Sequence, residues 1–140
     1  MTELTPEYVA GLMNNVPPQE ELRSAITVLE SEPGSVTYEI DVPESQLNYH
    51  NTIFGGFVST MLEIAAGMAT YAYGLSNVAL TTSTNFIRAV GAQRLTVSAH
   101  TSHKGRTTTV CHCAIHDGRG KLVAESTFTM FILGPLSENR

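Results

Sequence analysis

The chain has no tryptophan and only two cysteines in 140 residues. Two cysteines cannot build the framework that staples a small secreted domain. Cys111 and Cys113 lie two apart on an expected strand, so both side chains point to one face, a poor geometry for a mutual disulfide. With His112 and His116 they suggest a metal cluster, but zinc knuckles space their cysteines wider and place them on turns. They read as small strand residues, and neither a metal nor any other cofactor is expected. Basic residues are also few: eight Lys and Arg against thirteen Asp and Glu, a net charge of −5. That argues against nucleic acid as a partner, because phosphate binding calls for clustered positive charge. No basic segment leading into an apolar one opens the chain, so no signal peptide is read and the expected location is the cytoplasm. Repeats, linkers and low-complexity tracts are absent too.

What remains is an ordinary globular composition, 42% apolar and 15% charged. Its length predicts a single domain with a real core over residues 1–140. Residues 1–20 read as a helix and loop, and 134–140 as a tail. Charge is unevenly spread. Residues 1–75 carry ten acids and one base, Arg23, whereas residues 76–132 carry six bases and two acids. The basic second half could hold a small polyanion, or its charges could simply mark strand ends and turns.

Thr5-Pro6-Glu7 is an N-cap with proline at the first helical position, predicting a short helix over 5–15 that ends at Asn14-Asn15 and Pro17-Pro18. Residues 25–32 and 36–42 read as strands joined by a turn at Pro33-Gly34. In the second, Val36, Tyr38, Ile40 and Val42 alternate with polar residues. Past residue 75 the period is again two. Strands are expected over 78–88, 95–102, 106–116 and 121–133, with turns at Lys104-Gly105 and Asp117-Gly118-Arg119-Gly120. The short connections imply an antiparallel meander of these last four strands.

Between the two groups lies the stretch that organises the chain. A polar loop from Asn48 leads to Gly55-Gly56 and then to eighteen residues, 57–74, that are almost all apolar or small. As a helix this run is about 27 Å long at ~1.5 Å per residue. A membrane span is not expected, because the run is bounded by polar residues and is rich in Gly, Ala, Ser and Thr. It holds one ionisable group, Glu63, which has to be paired, protonated or used if it is buried. Ser59, Thr60, Glu63 and Thr70 share one helical face with Gly56 and Gly67. The face reads as a narrow polar slot round Glu63, or as part of a core helix whose Glu is satisfied by a neighbouring strand. Apolar on all sides, the helix needs a sheet curled round it and a second subunit over the remainder.

A sheet wrapped round one long helix is the α+β hotdog fold. The chain resembles the hotdog acyl-CoA thioesterases of the phenylacetate-degradation and 4-hydroxybenzoyl-CoA type. Their signature is an Asn or Gln, then His-Gly-Gly six residues later, then an Asp or Glu eight residues after the first glycine. Asn48, Phe54-Gly55-Gly56 and Glu63 keep that spacing. Asn85-Phe86-Ile87-Arg88-Ala89-Val90 is similar to the family's strand ending in Phe-Leu-Arg-Pro-Ala, and Lys104-Gly105-Arg106 to its next hairpin. The resemblance covers roughly residues 20–133. Phe54 stands where the family usually has His, Gly67 where one subgroup with a catalytic Glu has Thr, and Ala89 where Pro is usual.

The resemblance implies hydrolysis of an acyl-CoA to a free acid and CoA. Gly55, with Gly56, would hold the thioester oxygen at the helix start. Glu63 would act as nucleophile or as general base, and Asn48 would orient the carboxylate or water. Phe54, Ser59 and Thr60 would line the substrate, and Arg88, Lys104 and Arg106 would meet the CoA phosphates. The resemblance also implies a homodimer or homotetramer whose sites lie at the dimer interface, with Gly55 and Glu63 from different subunits. The competing expectation is a non-hydrolytic hotdog subunit that binds an acyl-thioester or serves assembly. His50, the nearest histidine, reads as a loop residue or as a stand-in for the missing one.

Overall fold

The computed structural model describes residues 5–11 and 20–136. The elements are α1 (Pro6–Gly11), α2 (Glu20–Ala25), β1 (Ile26–Glu32), β2 (Ser35–Asp41), α3 (Gly55–Tyr71), β3 (Leu75–Phe86), β4 (Arg94–Lys104), β5 (Thr108–His116) and β6 (Leu122–Pro135). Thr5 caps α1 as its sequence predicts, accepting the Tyr8 N–H on its hydroxyl at 3.1 Å. The expected stop at Asn14-Asn15 and Pro17-Pro18 lies outside the described residues. The short α2 was not anticipated. Six residues of mixed polarity give no usable period.

The strands fall where alternation put them, to within a few residues, and form one six-stranded antiparallel sheet in the order β1-β2-β4-β5-β6-β3. One expectation fails here. The last four strands are not a meander: β4, β5 and β6 are, but β3 pairs with β6 at the far edge instead of with β4. Residues 87–93 carry the chain from that edge across the start of α3 to the sheet centre. On the way Val90 C=O accepts the Ile53 N–H at 2.9 Å and Gln93 C=O accepts the Val42 N–H at 3.1 Å.

The inward positions of the sheet meet α3. Val36, Tyr38, Ile40, Leu95, Val97, Ala99, Ile115 and Phe128 are buried against Phe57, Val58, Met61, Leu62, Ala65, Ala66 and Ala69 of the helix. Tyr38 passes its hydroxyl to Met61 C=O at 2.6 Å, which fixes the helix over the sheet centre. Thr70 donates to Ala66 C=O at 3.1 Å and lies 2.9 Å from the Thr109 hydroxyl. Such pairing makes a buried hydroxyl tolerable. No described helix is long and apolar enough to cross a membrane.

Candidate active site

Phe54 is the residue before α3. Its backbone is extended, with φ −71° and ψ 148°, and its side chain offers no cap acceptor. The first N–H groups of a helix have no partner within it. Phe54 C=O takes those of Phe57 and Val58. The amides of Gly55 and Gly56 donate to nothing among the described residues, and both glycines are exposed. Each lies under a phenyl ring. A Cβ on Gly55 would meet the Phe86 ring at 3.6 Å, and one on Gly56 would collide with the Phe54 ring at 2.4 Å. A side chain at 56 would therefore have to displace the Phe54 ring, which is itself exposed.

From Gly55 an open stripe runs along α3. Ser59, Thr60 and Gly67 are half-buried and Glu63 is exposed. The predicted polar face thus exists, with two differences. The described residues do not cover the helix on all sides, so Glu63 is exposed and no described side chain pairs with it. Thr70 is turned into the core, because the sheet closes over the C-terminal half of the helix. Thr60 hydroxyl is spent on Gly56 C=O at 2.9 Å. Asn77, from the start of β3, fills the space beside Gly67. Its amide nitrogen donates to Gly67 C=O at 3.3 Å, and its side-chain oxygen is buried without a partner. Sequence reasoning missed Asn77, since an Asn inside a strand carries no period of its own.

Asn48 works locally. Its side-chain oxygen accepts the N–H of His50 at 2.9 Å and of Thr52 at 3.2 Å, and its nitrogen donates to Thr52 hydroxyl at 3.0 Å. It shapes the loop that delivers Phe54 to the helix, a use of Asn that turns favour. His50 stacks on Tyr49 with ring centres 4.1 Å apart, and both are exposed.

The basic candidates are separated. Arg88, at the Gly55 end, forms an ion pair with Asp117 of the β5–β6 turn. Asp117 also accepts the N–H groups of Lys121 at 3.0 Å and Arg119 at 2.9 Å. Led by the Lys121 amide, these contacts hold its carboxyl down at about 2. Lys104 lies at the other end of α3, 5.4 Å above the Tyr73 ring, and Arg106 is exposed in the same β4–β5 hairpin. Within one chain, then, Arg88 does not join Lys104 and Arg106. The cysteines are free thiols that face the helix, while His112 between them is exposed. Burial pushes Cys113 up to about 12, with the Cys111 charge adding to it. A thiol held so high offers no nucleophile.

The sequence profile described as Thioesterase superfamily matches residues 50–124. The chain belongs to the thioesterase superfamily. Among solved structures, a hypothetical thioesterase protein of Streptococcus pneumoniae TIGR4, solved with coenzyme A, is 31% identical. The match covers 81% of this chain and 90% of that one, with a TM-score of 0.79. The smu.793 protein of Streptococcus mutans UA159, bound to acetyl CoA, is 27% identical over 80% and 91%, with a TM-score of 0.77. The E. coli PaaI protein from the phenylacetic acid degradation operon is 23% identical over 94% and 98%, at 0.81; at that identity the likeness concerns the fold. The hotdog architecture is thus shared. Comparison with curated proteins finds no match. The part of this thioesterase-superfamily chain that the profile matches contains Phe54, Gly55, Gly56, Glu63, Arg88, Lys104 and Arg106, and Asn48 lies just before it.

Proposed function

We propose that the protein is an acyl-CoA thioesterase in which Gly55 holds the thioester oxygen and Glu63 is the base or nucleophile. One observation carries this: two unpaired, exposed glycine amides open a helix whose exposed stripe holds one carboxylate. Unpaired N–H groups at the positive end of the helix dipole stabilise the negative charge that develops on a carbonyl oxygen under attack. A carboxylate in water's reach can attack the carbonyl carbon or take a proton from the attacking water. The product acid and the CoA thiol then leave with no need of a cofactor.

Gly55 and Glu63 are about 12 Å apart along the axis at ~1.5 Å per residue, too far for one carbonyl group. A second copy supplies the missing half. β3 is a long edge strand, with Val78, Leu80 and Phe86 about half exposed along it. Such an edge is a template for strand pairing. Two copies joined antiparallel along β3, with the two-fold axis near Ser59, set Gly55 of each beside Glu63 of the other. The active unit is then a homodimer, alone or doubled into a tetramer. Lys104 and Arg106 reach the CoA phosphates from the hairpin; at Arg88 any phosphate has to compete with Asp117.

Phe54, with its ring over Gly56, favours a second reading, in which the same groove binds an acyl-thioester without cleaving it. A screen of acyl-CoA esters with a thiol-reactive dye separates the two. Release of CoA that depends on Glu63 supports the hydrolase. Tight binding with no release supports the second reading.

A further inference from the structure

Beside Gly55 there is a recess of about 300 Å³, at the lower end of the ~300–1,000 Å³ range of small-molecule pockets. Its floor is formed by Ile53, Val58, Val90 and Val123, each less than a tenth exposed. Phe86, Ile87 and Ala89 form an exposed rim. The only lining side chain that carries a polar group is Arg88, and Asp117 already engages it. Gly55 forms part of the wall with its amide free.

We infer that this recess takes the acyl group of the thioester, and that this group is apolar and uncharged, a medium-length alkyl chain or an unsubstituted ring. The inference rests on the thioesterase reading for one point, the carbonyl oxygen at Gly55. With the oxygen there, the carbon chain attached to the same carbonyl enters the adjoining recess. The floor is built of aliphatic side chains in the core, so each methylene that enters leaves water for a preformed apolar surface. A hydroxyl or carboxylate at the far end of the acyl group would lose its water and meet no partner, which is costly. The pantetheine arm, with its amides and hydroxyl, fits such a lining poorly.

The test is calorimetric titration of the wild-type protein with thioether analogues of acyl-CoA, which cannot be hydrolysed. S-hexyl-CoA is expected to bind at least about thirtyfold more tightly than S-methyl-CoA, given roughly fourfold per fully buried methylene. An analogue with a carboxylate at the end of the same chain should show no such gain. Ala89→Trp, at the exposed rim, should cut the hexyl-to-methyl ratio by at least about tenfold, and Ile87→Asp should lower it as well. Equal affinities in the wild type, failure of S-hexyl-CoA to bind, or a ratio that Ala89→Trp leaves unchanged overturns the inference. In the last case the recess holds the pantetheine arm common to all esters. A protein that hydrolyses nothing yet keeps the hexyl preference and its loss in Ala89→Trp upholds the recess and sinks the hydrolase reading.

Discussion

The two sides of α3 come from one run of small and apolar residues, yet one is sealed and the other open. Toward the sheet, Met61, Leu62, Ala65, Ala66 and Ala69 are fully buried. A turn away, Gly56, Ser59, Thr60, Glu63 and Gly67 face an unpaired strand edge that carries exposed Leu80 and Phe86. The sealed side is apolar throughout and closed against the sheet, and it holds the helix in place. The open side is small and polar, which leaves its backbone open to approach. Where the helix shows little side chain, the proposed function rests on its amides and on the one charge it keeps.

The contrast predicts opposite costs for adjacent residues. Leu62→Ala should destabilise by about 2–5 kcal/mol, the range for a core leucine that leaves a cavity. Chemical denaturation reads it, and a change under 1 kcal/mol would mean that the sealed side is not packed as described. Glu63→Gln, one residue on, should leave the melting temperature within a few degrees, since no described side chain is paired with it to be stranded. Its thioester hydrolysis should fall by about 10² or more, the scale for loss of a positioned base. Near-native turnover would end the assignment of Glu63, and a collapse in melting temperature would mean that a buried partner meets it across the dimer.

Leu80→Arg tests the open edge. An exposed charge there should weaken strand pairing between copies, so light scattering at micromolar concentration should shift toward monomer, and activity should drop in parallel. An oligomer of unchanged mass would move the interface elsewhere.

Tyr38→Phe removes the bond to Met61 C=O and nothing else. The expected loss is about 1 kcal/mol, the net worth of one hydrogen bond. The smallest effect belongs to Asp117. Its folded pKa lies below the ordinary carboxylate value of ~3.9, so its contribution is full above that pH and fades as pH falls toward about 2. Asp117→Asn should therefore lower stability near neutrality and flatten the acid limb of the stability curve between those limits. Acid titration followed by circular dichroism checks it, and superimposable curves would show that the turn contributes nothing.

Much of this is legible in the sequence. Glu63, Gly55 and the start of α3 follow from an apolar run interrupted by one acid and preceded by two glycines. The inward strand positions follow from alternation, and the turn at Asp117–Gly120 from its residues. Arg88 was readable as a basic residue but not as the partner of Asp117, because that pair joins positions 29 apart in sequence. Ile53, Val90 and Val123, which floor the recess, stand out in no sequence pattern, because they come from three separate segments, the loop before α3, the 87–93 connection and β6.

By itself, then, the sequence determined what short range can encode: which segments other than α2 are helix or strand, where they lie to within a few residues, which face of each strand is apolar, and that one carboxylate stands on the central helix. Only the tertiary structure decided that β3 lies beside β6, that Thr70 turns inward while Glu63, on the same helical face, stays out, and that Phe86 comes to rest over Gly55. Those outcomes depend on where the sheet curls and ends. Closure of a sheet is set by contacts between strands far apart in the chain, on which local periodicity is silent.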